Sequence, residues 1–182
     1  MGTDAELEAF LAGIERRAFR MAELVTHNAD DALELVQDAM TRLVERYRDR
    51  DSAEWPPLFY RILTHRLRDW QRRRRLRFRW LSLWADRGGA SAAEASPAEP
   101  EFPDPAGADP PRELQARAGI ERLLEVLQEL PERQREAFVL RIWEGLDTRQ
   151  TARAMACSEG SVKTHLSRAL QVVRREVGRH WP

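Results

Sequence analysis

The side chains best suited to recognition chemistry lie in residues 145–175, which read GLDTRQTARAMACSEGSVKTHLSRALQVVRR. On a helix of about 100° per residue with Val162 at zero, Leu166 falls at about 40°, Ala169 at about 340° and Val173 at about 20°. On the same wheel Lys163 falls at about 100°, Ser167 at about 140°, Gln171 at about 180°, Thr164 at about 200° and Arg168 at about 240°. One face is therefore apolar, and the other carries hydroxyls, an amide and cations. Those groups can hydrogen-bond phosphate oxygens and base edges in a DNA major groove. Ahead of this helix, Ala152, Ala154, Met155 and Ala156 favour a shorter one. Asp147 or Thr148 can cap it, with Gln150 at capping-box spacing from Asp147. Cys157-Ser158-Glu159-Gly160 breaks the pattern; Ser158 can cap the second helix, and Glu159 suits its positive end. A short helix, a turn and a polar-faced helix form the helix-turn-helix arrangement. Periodicity alone equally allows an ordinary amphipathic helix with a solvated face.

A second concentration of chemistry precedes it. Residues 57–80 read as a helix beginning Leu58-Phe59-Tyr60-Arg61-Ile62, then carrying Arg66, Arg68, Arg72, Arg73, Arg74, Arg75, Arg77 and Arg79. Trp70, Phe78 and Trp80 are interleaved, and Asp69 is the only acid from Arg66 to Trp80. Such a run repels itself unless an anion is near. Nucleic-acid phosphate fits that footprint, and the aromatics can stack on an unpaired base. The other reading puts the aromatics in a core and the arginines against an anionic membrane or an acidic partner.

Other elements must hold these two helices. Residues 4–27 carry Leu7, Phe10, Leu11, Ile14, Ala18, Met21 and Val25 at helical spacing. Asn28 or Asp30 can cap a helix over residues 31–48. Its apolar set is Leu33, Val36, Met40, Leu43, Val44 and Tyr47; its outward set is Asp31, Glu34, Gln37, Asp38 and Arg42. The acidic start fits the helix dipole. Residues 48–57 form a loop whose prolines suit a helix start. Residues 85–112 hold six of the ten prolines among alanine, glycine, serine and acids, a composition that cannot fold alone, so they form a linker. A helix over 113–130 turns Ile120, Leu123, Leu124, Leu127 and Leu130 inward. Another over 131–143 buries Phe138, Val139, Ile142 and Trp143.

The totals bound the function. Lys+Arg and Asp+Glu are both 30, so the arginine run is local and the chain as a whole is not a basic coat. One cysteine forbids an intramolecular disulfide, and Cys157 reads as a small buried residue. Four scattered histidines give no zinc cluster. No apolar run approaches the roughly 18–20 residues of a membrane span, and no signal-peptide core opens the chain. No phosphate loop, nucleophile–base set or metal cluster is present, so neither an enzyme, a cofactor, a metal nor a small-molecule substrate is expected. A cytoplasmic protein is the expectation.

Three segments, in order, resemble bacterial RNA polymerase sigma factors of the extracytoplasmic-function group. Asp31-Ala32-Leu33-Glu34-Leu35-Val36-Gln37-Asp38 is similar to the family's D-A-E-D-L-V-Q-E segment. Leu58-Phe59-Tyr60-Arg61-Ile62 through Asp69-Trp70-Gln71-Arg72-Arg73 is similar to W-L-Y-R-I-A-x-N-x-x-x-D-x-x-R-R. Leu130 to Phe138 is similar to L-P-x-x-x-R-x-x-F, and Ser158 to Ala169 matches the helix-turn-helix at Glu159, Gly160, Val162, Lys163, Leu166 and Arg168. Departures are Leu33 for an acid, Met40 for an aromatic, Leu58 for tryptophan, His65 for asparagine, Arg149 for an acid, Thr151 for an aliphatic residue and Ala156 for glycine.

The resemblance implies an all-α protein of two small helical domains on a flexible Pro/Ala/acidic linker. Residues 4–81 would bind core polymerase and the −10 element, 82–112 would be the linker threading the polymerase, and 113–180 would bind the −35 element. It implies that Asp31, Glu34, Gln37 and Asp38 dock on the clamp coiled-coil of core RNA polymerase, with the flap as a second contact. It implies −10 contacts from Arg61, His65, Arg68, Arg72 and Arg73 in promoter DNA. Contacts to the −35 element would come from Lys163, Thr164, Ser167 and Arg168, with Arg174 and Arg175 on phosphate. An anti-sigma factor is a further implied partner. A regulator with the same helix-turn-helix would not need the acidic face, and a basic helical adaptor would show no promoter specificity.

Overall fold

The computed structural model describes residues 2–85 and 110–178, with side chains over 2–76 and 118–178. Most of the expected linker lies outside the described residues, as do the side chains of Arg77, Phe78, Arg79 and Trp80. Every regular element among the described residues is helical. The chain divides into two compact units, Met1–Ala98 and Glu99–Pro182.

In the first unit, α1 (Asp4–Thr26) opens on a capping box in which Thr3 and Glu6 satisfy each other's backbone donors. The Glu6 carboxyl is held below the usual glutamate range, first by the Thr3 N–H and then by its hydroxyl. His27 ends α1 in the left-handed region, at φ 53°. Asn28 then caps α2 (Ala29–Tyr47) by accepting the Asp31 N–H at 2.9 Å. A 3-10 turn (Ser52–Glu54) leads into α3 (Trp55–Ala85). That helix starts two residues earlier than the sequence suggests. Pro56 and Pro57 occupy its first turn, where no amide donor is needed.

α2 packs on both α1 and α3. The buried contacts are Leu7, Ile14, Ala18 and Met21 from α1, Val36, Ala39 and Leu43 from α2, and Trp55, Phe59, Leu63 and Leu67 from α3. Burial of each large apolar side chain contributes about 1.5–3 kcal/mol before entropy is counted. Leu33 does not join this core; it is 41% exposed, because the inward stripe of α2 runs through Ala32, Val36, Ala39 and Leu43.

In the second unit, α4 (Pro110–Glu129) and α5 (Glu132–Phe138) precede a π-helical turn (Val139–Trp143). α6 (Thr148–Met155) and α7 (Glu159–Val177) follow. α7 packs on α4, α5 and α6 and is the centre of this unit. Arg122 of α4 reaches Glu176 of α7 at 3.1 Å. The Glu176 carboxyl is lowered, first by Arg175 and then by Arg122. Its contribution is therefore full above the unfolded glutamate pKa and is lost as pH falls through the lower folded value.

Arg135, nearly buried, donates to the Gln128 carbonyl at 3.2 Å and closes the α4–α5 corner. The helix expected over 131–143 changes character after Phe138. The Glu144 N–H bonds the Val139 carbonyl, five residues back. This wider turn rotates the side chains: Val139 and Leu140 are buried, Trp143 is half-buried and Ile142 is 51% exposed, not buried as its spacing suggested. Gly145 then turns the chain into α6 at φ +69°, a conformation that favours glycine. No helix among the described residues is long and apolar enough to cross a membrane.

Candidate nucleic-acid interface

The turn between α6 and α7 is built from local rules. Asp147 caps α6, accepting the Gln150 N–H at 2.6 Å while the Gln150 side chain accepts the Asp147 N–H at 2.9 Å. Thr151 is fully buried, and its hydroxyl donates to the Asp147 carbonyl at 2.7 Å. A threonine thus stands at this apolar position with its polar group satisfied. Ser158 caps α7 by accepting the Ser161 N–H at 3.1 Å. Arg133 donates to the Met155 carbonyl at 2.9 Å, tying the end of α6 to α5.

α6 ends at Ala156, which adopts the left-handed conformation at φ 51°. A Cβ there costs about 1–2 kcal/mol, and glycine's greater freedom in the unfolded chain offsets about half of the relief from removing it. Ala156 is exposed, so glycine loses no packing. Ala156→Gly is expected to stabilise the second unit by about 0.5–1 kcal/mol, raising its thermal midpoint by roughly 2–8 °C. A lowered midpoint in differential scanning calorimetry would contradict this.

α7 presents the expected two faces. Val162, Ala169, Val173 and Val177 are buried. Lys163, Thr164, Ser167, Arg168, Gln171, Arg174 and Arg175 are exposed. Two of these groups have partners of their own: the Thr164 hydroxyl donates to the Gly160 carbonyl at 3.0 Å, and Arg175 Nε lies 2.8 Å from Glu176 Oε1.

The basic helix α3 divides into two stripes. With Arg61 at zero, His65 lies at about 40°, Arg68 at about 340° and Arg72 at about 20°, whereas Arg66 lies at about 140° and Arg73 at about 120°. Arg61, His65 and Arg72 are exposed, and Arg68 is half-buried. Asp69 stands beside this first stripe, 3.3 Å from both His65 Nδ1 and Arg72 Nη2.

The second stripe faces α2 across a groove of about 350 Å³. Asp31, Glu34, Leu35, Asp38 and Arg42 line it from α2, and Arg66, Asp69, Trp70 and Arg73 from α3. The groove unites three of the four expected docking residues with Arg73; Gln37 is exposed outside its lining. Asp38 is already engaged, 2.6 Å from Arg66 Nε and 3.1 Å from Arg42 Nε.

The arginine run is therefore not a single anion-binding surface. Arg66, only 19% exposed, neutralises Asp38. Arg74 donates to the Thr26 carbonyl at the end of α1 at 2.9 Å and lies 5.1 Å from the Trp70 ring centre. These two arginines join helices. Spacing alone groups Arg66 with the anion-binding run and Arg42 with the outward face of α2, although a helical wheel of α3 separates Arg66 from the Arg61 stripe.

Residues 120–172 match the family model of sigma-70 region 4. The RNA polymerase sigma-E factor of Streptomyces coelicolor is 29% identical over 180 residues, covering 97% of this chain and 89% of that protein. The sigma-E factor of Streptomyces antibioticus is 30% identical over 148 residues, covering 81% of this chain and 71% of that protein. The ECF RNA polymerase sigma factor SigD of Mycobacterium tuberculosis is 31% identical over 152 residues, covering 82% of this chain and 63% of that protein. The chain belongs to the extracytoplasmic-function RNA polymerase sigma factors. The fold of this sigma factor also matches a solved structure, that of the sigma factor RpoE in complex with the anti-sigma factor NepR from Bartonella quintana. The TM-score is 0.62 at 20% identity, over 94% of this chain and 96% of that one. In this sigma factor the matched region 4 segment contains α5, α6 and most of α7, with the exposed polar face described above.

Proposed function

We infer that this sigma factor binds core RNA polymerase as its promoter-specificity subunit, directs it to −35 and −10 elements and promotes duplex opening. The observation that carries this is the pairing of two surfaces on one chain. One is an exposed polar face on α7, behind a buried apolar stripe. The other is an acidic α2 rim beside a basic α3. A DNA-binding regulator needs only the first.

Residues 113–180 are assigned to the −35 element, with Lys163, Thr164, Ser167 and Arg168 reading base edges and Arg174 and Arg175 on phosphate. Residues 4–81 are assigned to the −10 element and to core docking, and residues 82–112 to the connection between them. Arg61, His65, Arg68 and Arg72 share a stripe that suits a single strand's backbone. The loop ahead of α3, expected over residues 49–55, is assigned together with that helix to −10 recognition and melting, with no base contact placed on any one of its residues. Arg73 stands nearer the docking rim, where Asp31, Glu34, Gln37 and Asp38 would meet the clamp coiled-coil. The flap would meet the second unit.

The role is that of a binding subunit without catalysis of its own, in the cytoplasm where the polymerase works. An anti-sigma factor is the expected antagonist. The test is permanganate reactivity of promoter thymines with core polymerase and the purified protein. Reactive thymines around −10 that require both components support the reading. Bound but unmelted DNA, or melting without the protein, contradicts it.

A further inference from the structure

We propose that residues 2–4, which lead into the first turn of α1, form a clamp that sets the loop between α2 and α3 and thereby the discrimination of bases at the −10 element. The inference rests on the role assigned above to that loop.

Two bonds fasten the loop from outside. The Gly2 N–H donates to the Arg50 carbonyl at 3.1 Å. One Arg48 nitrogen, Nη2, donates to both Asp4 carboxylate oxygens, at 2.8 and 2.9 Å. Inside the loop, the 3-10 turn (Ser52–Glu54) and an Arg50–Glu54 ion pair at 3.8 Å shape its second half. The Arg50 N–H and the Trp55 indole N–H both donate to the Tyr47 carbonyl, at 3.1 and 3.0 Å, and the Asp51 carboxylate accepts the Ala53 N–H at 2.9 Å.

The clamp is itself rigidly seated. The Thr3–Glu6 capping box fixes its departure from α1. Gly2 lies on the Trp55 indole so closely that a Cβ there would come within 2.2 Å of Cη2 and 2.3 Å of Cζ2. Trp55 cannot readily yield, being 1% exposed and packed 6.0 Å from the Phe10 ring. Any side chain at position 2 must therefore displace a core indole or lift the segment off Arg50.

A solvent-exposed ion pair does little for overall stability. Its value here is preorganisation: residues 48–53 are exposed, and a loop ordered before DNA arrives loses less freedom on binding. The effect should thus appear in recognition and not in folding.

The experiment uses the full chain with core polymerase on paired templates that differ in one −10 base, drawn from a promoter found by core-dependent transcription. Asp4→Asn and Gly2→Val are compared with the parent and with a variant whose residues 49–54 are replaced by glycine and serine. The expected result is a roughly three- to tenfold loss of discrimination between the paired templates in both point variants. Core affinity and the thermal midpoint of Asp4→Asn should be unchanged. Parental discrimination in Asp4→Asn and Gly2→Val, alongside its loss in the loop replacement, overturns the clamp but not the loop's role. Parental discrimination in the loop replacement overturns both. An equal fall on both templates leaves discrimination unchanged and also overturns the clamp.

Discussion

Replacing Arg168 by alanine is expected to lower transcription from a −35-dependent promoter by roughly five- to 150-fold, the equivalent of about 1–3 kcal/mol for one good base contact. Arg168 is exposed on α7, and its neighbour Ala169 faces the core. Alanine is the better helix former, so the substitution should change stability by no more than about 0.5 kcal/mol. Single-round transcription on matched templates, with and without the −35 element, separates the two effects. The loss should appear only where the −35 element is present. Arg174→Ala should behave differently. A phosphate contact weakens binding on all sequences and lowers the salt slope by about one. Equal rates for Arg168→Ala and the parent on both templates would remove this face of α7 from promoter reading.

Glu34→Lys is expected to weaken core polymerase binding by roughly thirtyfold or more, because unpairing a charge at a protein interface costs about 2–5 kcal/mol. Glu34 is exposed on the α2 rim of the groove, so reversal leaves the helical core untouched. Asp38 is a poorer choice for the same test. It is held by Arg66 and Arg42, and its reversal would bring three cations together within the protein. A fluorescence titration of core polymerase with labelled protein, read beside far-UV circular dichroism, checks the prediction. Full affinity in a well-folded Glu34→Lys variant would sink the docking assignment.

The helix-turn-helix was legible because its signals are local. The cap at Asp147, the cap at Ser158 and the stripe through Val162, Ala169 and Val173 all follow from side-chain type and helical spacing. The arginines of α3 were less legible. Composition counts cations, whereas the wheel decides which of them face solvent and which meet a neighbouring helix. Arg66 and Arg74 were read with the anion-binding set, but they hold Asp38 and the end of α1.

Three other features depend on geometry that spacing does not carry. The π-helical turn after Phe138 shifts the phase of the helix and exposes Ile142. Leu33 lies outside the stripe that α2 turns to its neighbours. The left-handed caps at His27 and Ala156 use residues with no strong preference for that conformation. The clamp on the α2–α3 loop joins residues 48 and 50 to residues 4 and 2, a contact between segments that no local pattern announces.

The most direct measurement is run-off transcription with the purified protein, core RNA polymerase and a fragmented genomic library from the source organism. The account predicts transcripts that require both components and that share −35 and −10 sequences upstream of their starts. Sequence-specific DNA binding with no core-dependent transcript would contradict it and leave a helix-turn-helix regulator.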